Sequence, residues 1–76
     1  MPKLPVISGK ELIKILFKLG FIESRQTGSH KIFKHSDGRT TSVPMHSGED
    51  LGKGLLRKIL HQIEVPPDQF QKLLKR

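Results

Sequence analysis

The sequence predicts a small α+β domain: a two-layer sandwich in which helices cover one face of a three-stranded antiparallel sheet. The order is α-β-β-β-α with a short C-terminal helix. Three observations predict it. Leu12 to Leu19 and Leu55 to Ile63 carry apolar side chains at helical spacing. Residues 21–44 change to short β-favouring runs cut by glycine-containing turns. The chain has 76 residues, enough for one domain, so 1–76 is read as a single unit.

The first helix is announced by Ser8 and Glu11, which form a Ser-x-x-Glu capping box. Leu12, Ile15, Leu16 and Leu19 then make one stripe, broadened by Ile13 and Phe17, while Lys10, Lys14 and Lys18 face away from it. Gly20 can end the helix in a left-handed conformation, so the helix is expected over Gly9 to Leu19. Phe21 to Gln26 and His30 to His35 read as two strands joined by Thr27-Gly28-Ser29. Ser36-Asp37-Gly38 is a turn signal of the Asp-Gly type. A third strand is expected over Thr40 to Val43, with Pro44 as its stop. Leu55, Leu56, Ile59, Leu60 and Ile63 form the second helical stripe, and Gly52 and Gly54 blur its start. Val65-Pro66-Pro67 breaks the chain, and Pro67-Asp68 opens a last short helix with Phe70, Leu73 and Leu74 on its apolar face.

Composition narrows the function. Fourteen Lys and Arg against seven Asp and Glu leave a formal charge of +7, which favours polyanionic partners over neutral ones. Lysines interrupt the most apolar stretch, Leu12 to Leu19, so it cannot span a membrane, and no signal-peptide core follows Met1. The absence of cysteine removes disulfides and thiolate ligands and fits a cytoplasmic protein. No carboxylate cluster suggests a metal site, and no cofactor is expected. A chain this short buries only about 60% of its unfolded surface, so its stability depends on every helix reaching the sheet.

Chemistry concentrates at Gly28-Ser29-His30. A histidine at the mouth of a hairpin, with Arg25, Lys31 and Lys34 around it, can move a proton beside a phosphate held by those cations. The competing reading is a histidine that only caps the hairpin. Gly28 can serve the turn or the close approach of a phosphate backbone, and Ser29 can hydrogen-bond a phosphate or water. His35 lies five positions after His30, so a regular strand points the two to opposite faces, which argues against a shared metal. His46 follows the third strand and is a second candidate for proton transfer; His61 lies on a helix among basic residues.

Gly28-Ser29-His30-Lys31-Ile32-Phe33-Lys34-His35, with Asp37-Gly38-Arg39 and Val43-Pro44-Met45-His46, resembles the HicA toxin family. The resemblance extends over roughly residues 8–74, including the first helix and Lys53-Gly54-Leu55. It implies a fold like a double-stranded RNA-binding domain, metal-independent cleavage of messenger RNA, and neutralisation by a HicB-type antitoxin. It places the catalytic histidine at His30. Val65-Pro66-Pro67 departs from the pattern.

RNA supplies its own nucleophile, the 2′-hydroxyl, so the protein needs a group to remove a proton, a group to give one, and cations to offset charge on the phosphorane. His30 can fill one proton-transfer role. Arg25, Gly28, Ser29, Lys31 and Lys34 are the nearby candidates for RNA contact, and Lys10 and Lys14 form a helical row that can reach phosphates by shape. Without Trp or Tyr, and with Phe17, Phe21, Phe33 and Phe70 assigned to the core, base stacking is not expected. Two readings compete with a ribonuclease: a non-catalytic RNA-binding module, and an interaction domain whose basic face docks an acidic protein.

Overall fold

Phe33, fully buried, is the residue on which the two layers meet. The computed structural model describes residues 6–45 and 50–74; the candidate His46 lies outside them. The elements are α1 (Gly9–Lys18), β1 (Ile22–Thr27), β2 (His30–Lys34), β3 (Thr40–Pro44), α2 (Lys53–Gln62) and α3 (Pro67–Leu74). The strands form one antiparallel sheet in the order β1-β2-β3. Phe33, Val43 and Thr41 on one sheet face meet Leu12, Ile15 and Leu16 of α1 and Leu56, Ile59 and Leu60 of α2 in a single core, which α3 extends with Phe70. This is the expected α+β sandwich, like a double-stranded RNA-binding domain in order and layering.

Both ends of α1 follow from local sequence. The Ser8 hydroxyl accepts from the Glu11 N–H at 3.2 Å, the first half of the capping box. At the other end Leu19 is the C-cap, Gly20 takes φ +96°, the Gly20 N–H bonds the Phe17 carbonyl and the Phe21 N–H bonds the Leu16 carbonyl. That paired pattern is a Schellman motif, with buried Phe21 and Leu16 as its apolar contact. Gly20 is required twice over. A side chain there would be strained by the positive φ, and its Cβ would lie 3.1 Å from His35 Nε2.

The sheet departs from expectation at several points. Phe21 belongs to the helix end, so β1 starts at Ile22 and runs on to Thr27. An irregularity between Glu23 and Arg25 inserts Ser24 as an extra residue. The bulge changes the alternation: Glu23 pairs with Phe33 and faces the helices, while Arg25 and Ile22 face the other way beside Ile32 and Lys34. β2 ends at Lys34, because His35 begins the turn: the Gly38 N–H bonds its carbonyl. That turn is not the two-residue type. Asp37 keeps a negative φ, and Gly38 at φ +102° closes a three-residue loop before the His35 N–H meets the Arg39 carbonyl. Pro44 ends β3 as expected, but as its last residue rather than the one beyond it, paired with His30 as an edge strand permits. Phe17, expected in the core, is 52% exposed and touches the edge of the Phe33 ring with centroids 5.8 Å apart.

α2 starts at Lys53 with Gly52 as N-cap and no side chain capping it. Its C-terminus repeats the Schellman pattern, from the Glu64 N–H to the His61 carbonyl and the Val65 N–H to the Leu60 carbonyl. Here Glu64 takes the left-handed position, φ +59°, that glycine holds in α1. Buried Thr41 ties β3 to α2 by donating to Gln62 Oε1 at 2.7 Å.

Candidate functional site

His30 opens β2 directly after the turn Gly28-Ser29. Gly28 has φ +57° and Ser29 does not share it, the φ pattern of a type II′ hairpin turn with glycine first. A Cβ on Gly28 would meet nothing within 4 Å, so the backbone angle alone explains the glycine. Gln26 donates to the Gly28 carbonyl at 3.1 Å, and the Met45 N–H bonds the Ser29 carbonyl. The hairpin end is thus fastened both to its own strand and to the chain leaving β3. His30 stands exposed at this end, opposite Thr27 on one side and Pro44 on the other. Among the described residues nothing hydrogen-bonds or ion-pairs with its ring.

Register decides which candidates share its face. Paired residues point to the same side of a sheet. One row is Thr27, His30 and Pro44; the next is Arg25, Ile32 and Ser42; the third is Ile22, Lys34 and Thr40. These three rows form the face away from the helices. Arg25 and Lys34 are exposed there, and neither has an acidic partner among the described residues. No row contains a carboxylate. The arrangement unites an imidazole and two cations, none with a charged or hydrogen-bonding side-chain partner among the described residues, on an open surface, which is what proton transfer next to a held anion requires.

The other candidates lie elsewhere. Lys31 points to the helical side, with Nζ 3.6 Å from Glu23 Oε1, so its charge is answered there. Lys10 and Lys14 are exposed on α1, in the layer opposite the His30 face. Gly9 places the start of α1 against the end of β3, its Cβ position 3.1 Å from the Pro44 carbonyl. Lys10 is therefore at the same end of the molecule as His30, on the other layer. Gly28 and Ser29 form the turn itself.

His35 takes the face opposite His30, as the odd spacing predicts. It is a structural residue. Nε2 lies 3.1 Å from the Leu19 carbonyl and therefore donates to it, while Nδ1 accepts the Asp37 N–H at 3.1 Å. Its ring stands edge-on to Phe21, 5.0 Å between centroids. His61 is exposed on α2 and lines a groove of about 620 Å³ between α2 and α3, with Arg57, Glu64 and Asp68 around apolar Leu60, Val65 and Pro66. No group of three or more metal-binding side chains occurs among the described residues, and none of the described helices is long and apolar enough to cross a membrane.

Sequence reasoning did not find Thr27, Ile32 and Ser42 as neighbours of the candidate site. The bulge at Ser24 has no glycine or proline to mark it, and Ile32 beside Phe33 hides the alternation of β2.

No curated protein matches the chain significantly. A family model described as the HicA toxin of bacterial toxin–antitoxin systems matches residues 9–65, from the first residue of α1 to the end of the α2 Schellman motif. That span holds the hairpin, the open face and both long helices, so the chain belongs to the HicA toxin family, as the toxin half of a toxin–antitoxin pair whose partner is an antitoxin.

Proposed function

We propose that this toxin is a metal-independent endoribonuclease that cleaves messenger RNA and is neutralised by a HicB-type antitoxin. The observation that carries the reading is His30: exposed, without a partner among the described residues, and on the same open face as Arg25 and Lys34. The family supplies the toxin role, and the site supplies chemistry by which a toxin of this size can act.

In the reaction the 2′-oxygen of a ribose attacks the adjacent phosphorus and the bond to the 5′-oxygen breaks, leaving a 2′,3′-cyclic phosphate and a free 5′-hydroxyl. One proton leaves the 2′-hydroxyl and one is delivered to the 5′-oxygen. His30 performs one of these transfers as general base or acid. Arg25 and Lys34 hold the phosphate and offset the charge that builds on its oxygens. The nucleophile comes from the substrate, so neither a serine nor a metal-bound water is required.

The test is induced expression of the wild type and of His30→Ala, followed by RNA integrity, with purified protein and RNA in chelator alongside. Wild type should fragment messenger RNA and arrest growth, and co-expressed antitoxin should prevent both. His30→Ala should do neither while remaining folded. Undiminished cleavage by that variant, with contaminating nuclease excluded, would remove His30 from the mechanism.

A further inference from the structure

We propose that the open face of the sheet is a track for single-stranded RNA, gripped by Arg25 and Lys34, and that the lysine row of α1 is not the substrate-binding surface. The inference rests on the ribonuclease reading and adds to it the class of RNA and the surface that takes it.

Charge is the first argument. On the open face Arg25 and Lys34 stand exposed, without acidic partners among the described residues, and no carboxylate occurs in the three rows. On the helical side Lys31 is already paired with Glu23. Lys10 and Lys14 are exposed, but the sheet and the core lie between their layer and His30. A strand gripped by that lysine row would not present its ribose to the imidazole.

Geometry is the second. A rise of about 3.3 Å per residue places the Arg25–Ile32–Ser42 row roughly 7 Å, and the Ile22–Lys34–Thr40 row roughly 13 Å, from the row of His30. The two cations therefore stand one and two rows from the histidine, Arg25 on β1 and Lys34 on neighbouring β2, a spacing that successive phosphates of an extended strand can follow. Thr27, Ser42 and Thr40 offer hydroxyls along the same path, and Ile32 and Ile22 supply apolar contact. None of the nine paired residues is Phe, Tyr or Trp, and the one aromatic ring among them is the imidazole of His30, so the grip is on backbone rather than on a row of stacked bases.

Chemistry is the third. Attack by the 2′-oxygen needs that oxygen, the phosphorus and the departing 5′-oxygen close to a line. A base-paired A-form helix holds its sugar-phosphate backbone away from this alignment, whereas an unpaired nucleotide can rotate into it. A site whose one exposed imidazole serves this reaction is matched to an unpaired strand.

The experiment uses the full chain carrying His30→Ala, so that RNA stays intact, and measures anisotropy of a fluorescein-labelled RNA of mixed sequence, single-stranded or annealed to its complement, over a range of salt. Two further pairs are made in that background: Arg25→Gln with Lys34→Gln, and Lys10→Gln with Lys14→Gln. The single strand should bind at least tenfold tighter than the duplex. The sheet-face pair should lower the slope of log affinity against log salt by about 1.4, two contacts at ~0.7 each. The helix pair should leave it unchanged. Tighter binding of duplex, or loss of slope in the helix pair alone, would overturn the proposal. So would salt-sensitive binding of polyglutamate without RNA affinity, which would assign the face to an acidic protein. A parallel digestion with His30 restored separates the two readings: slope lost through Arg25 and Lys34 with no cleavage of any RNA sinks the ribonuclease and leaves the track standing, while cleavage with an unchanged slope sinks the track alone.

Discussion

The Arg39 guanidinium donates through Nη1 to the backbone carbonyl of Ile63, the C-cap of α2. Four residues earlier, the His35 ring donates to the carbonyl of Leu19, the C-cap of α1. One turn of the β2–β3 hairpin therefore holds the C-terminal ends of both long helices, where unsatisfied carbonyls collect and donors are favoured. Arg39 also bonds Asp37 Oδ2 at 2.8 Å through Nε and lies over the Phe21 ring, 5.1 Å from its centroid. Charge-assisted hydrogen bonds contribute about 1.5–3 kcal/mol and a cation–π contact about 0.5–1. Arg39→Ala should lower stability by about 2–3 kcal/mol in urea unfolding. Arg39→Lys should recover less than half of that, because one ammonium cannot reach Asp37 and Ile63 from the same rigid fork. An unchanged midpoint for Arg39→Ala would remove the clamp.

Asp37 makes the clamp sensitive to acid. The Arg39 backbone N–H, bonded to Oδ1 at 3.0 Å, holds its carboxyl below the ordinary value of 3.8, and the Arg39 guanidinium lowers it further. A carboxyl with a depressed value in the folded state stabilises the fold above its unfolded value, and that contribution is lost as pH falls through the folded one. The gap in melting temperature between wild type and Asp37→Asn should begin to narrow as pH falls below about 4, the unfolded value, and close only below the depressed folded value, where both side chains are neutral. A gap that persists at pH 2 would show that the carboxylate charge is not its source.

The sequence is most transparent where one residue settles a local conformation. Ser8 with Glu11, Gly20, and the Gly28 turn each do so, and each stands where expected. It is opaque where an element's phase depends on tertiary partners. The bulge at Ser24 satisfies two demands at once, Glu23 beside Lys31 on the helical side and Arg25 on the face of His30, and nothing local to residues 22–27 announces it. The candidate site divides in the same way. His30 was legible from its motif, and its separation from His35 from odd spacing. That Arg25 and Lys34 accompany it while Lys31 does not follows only from the register across three strands. The Asp37-Gly38-Arg39 motif was visible as a turn, but its work on two helix ends depends on residues as distant as Ile63.

Glu64 is the one described non-glycine residue with a positive φ, and it occupies the position that closes α2. A left-handed conformation costs an L-residue about 1–2 kcal/mol, while glycine gives back part of that gain through the greater freedom of its unfolded chain. Glu64→Gly should therefore stabilise the protein by about 0.5–1 kcal/mol, a rise of several degrees in melting temperature for a domain of this size. The Gly20→Ala exchange at the matching point of α1 should do the reverse, since the new methyl meets both a positive φ and the His35 ring. A drop in melting temperature for Glu64→Gly would mean that its side chain holds the α2–α3 corner by contacts that outweigh the backbone strain.

His30 and His35 lie five residues apart on opposite faces of one hairpin, and substitution should separate their roles. His30 is exposed and without a described partner, so His30→Ala should change stability by no more than about 0.5 kcal/mol. His35 bonds the Leu19 carbonyl, accepts the Asp37 N–H and packs edge-on against Phe21. His35→Ala removes a donor from a helix end and an aromatic contact from the core edge, which should cost about 2–3 kcal/mol and lower the melting temperature by roughly 8–24 °C. Activity should divide the other way. At a temperature where both variants are folded, His35→Ala should cleave RNA at close to the wild-type rate, whereas His30→Ala should lose cleavage by a factor of about 10²–10⁴, the usual contribution of a general acid or base. A folded His35→Ala protein as inactive as His30→Ala would move the chemistry to the helical side of the sheet and sink the assignment of the open face.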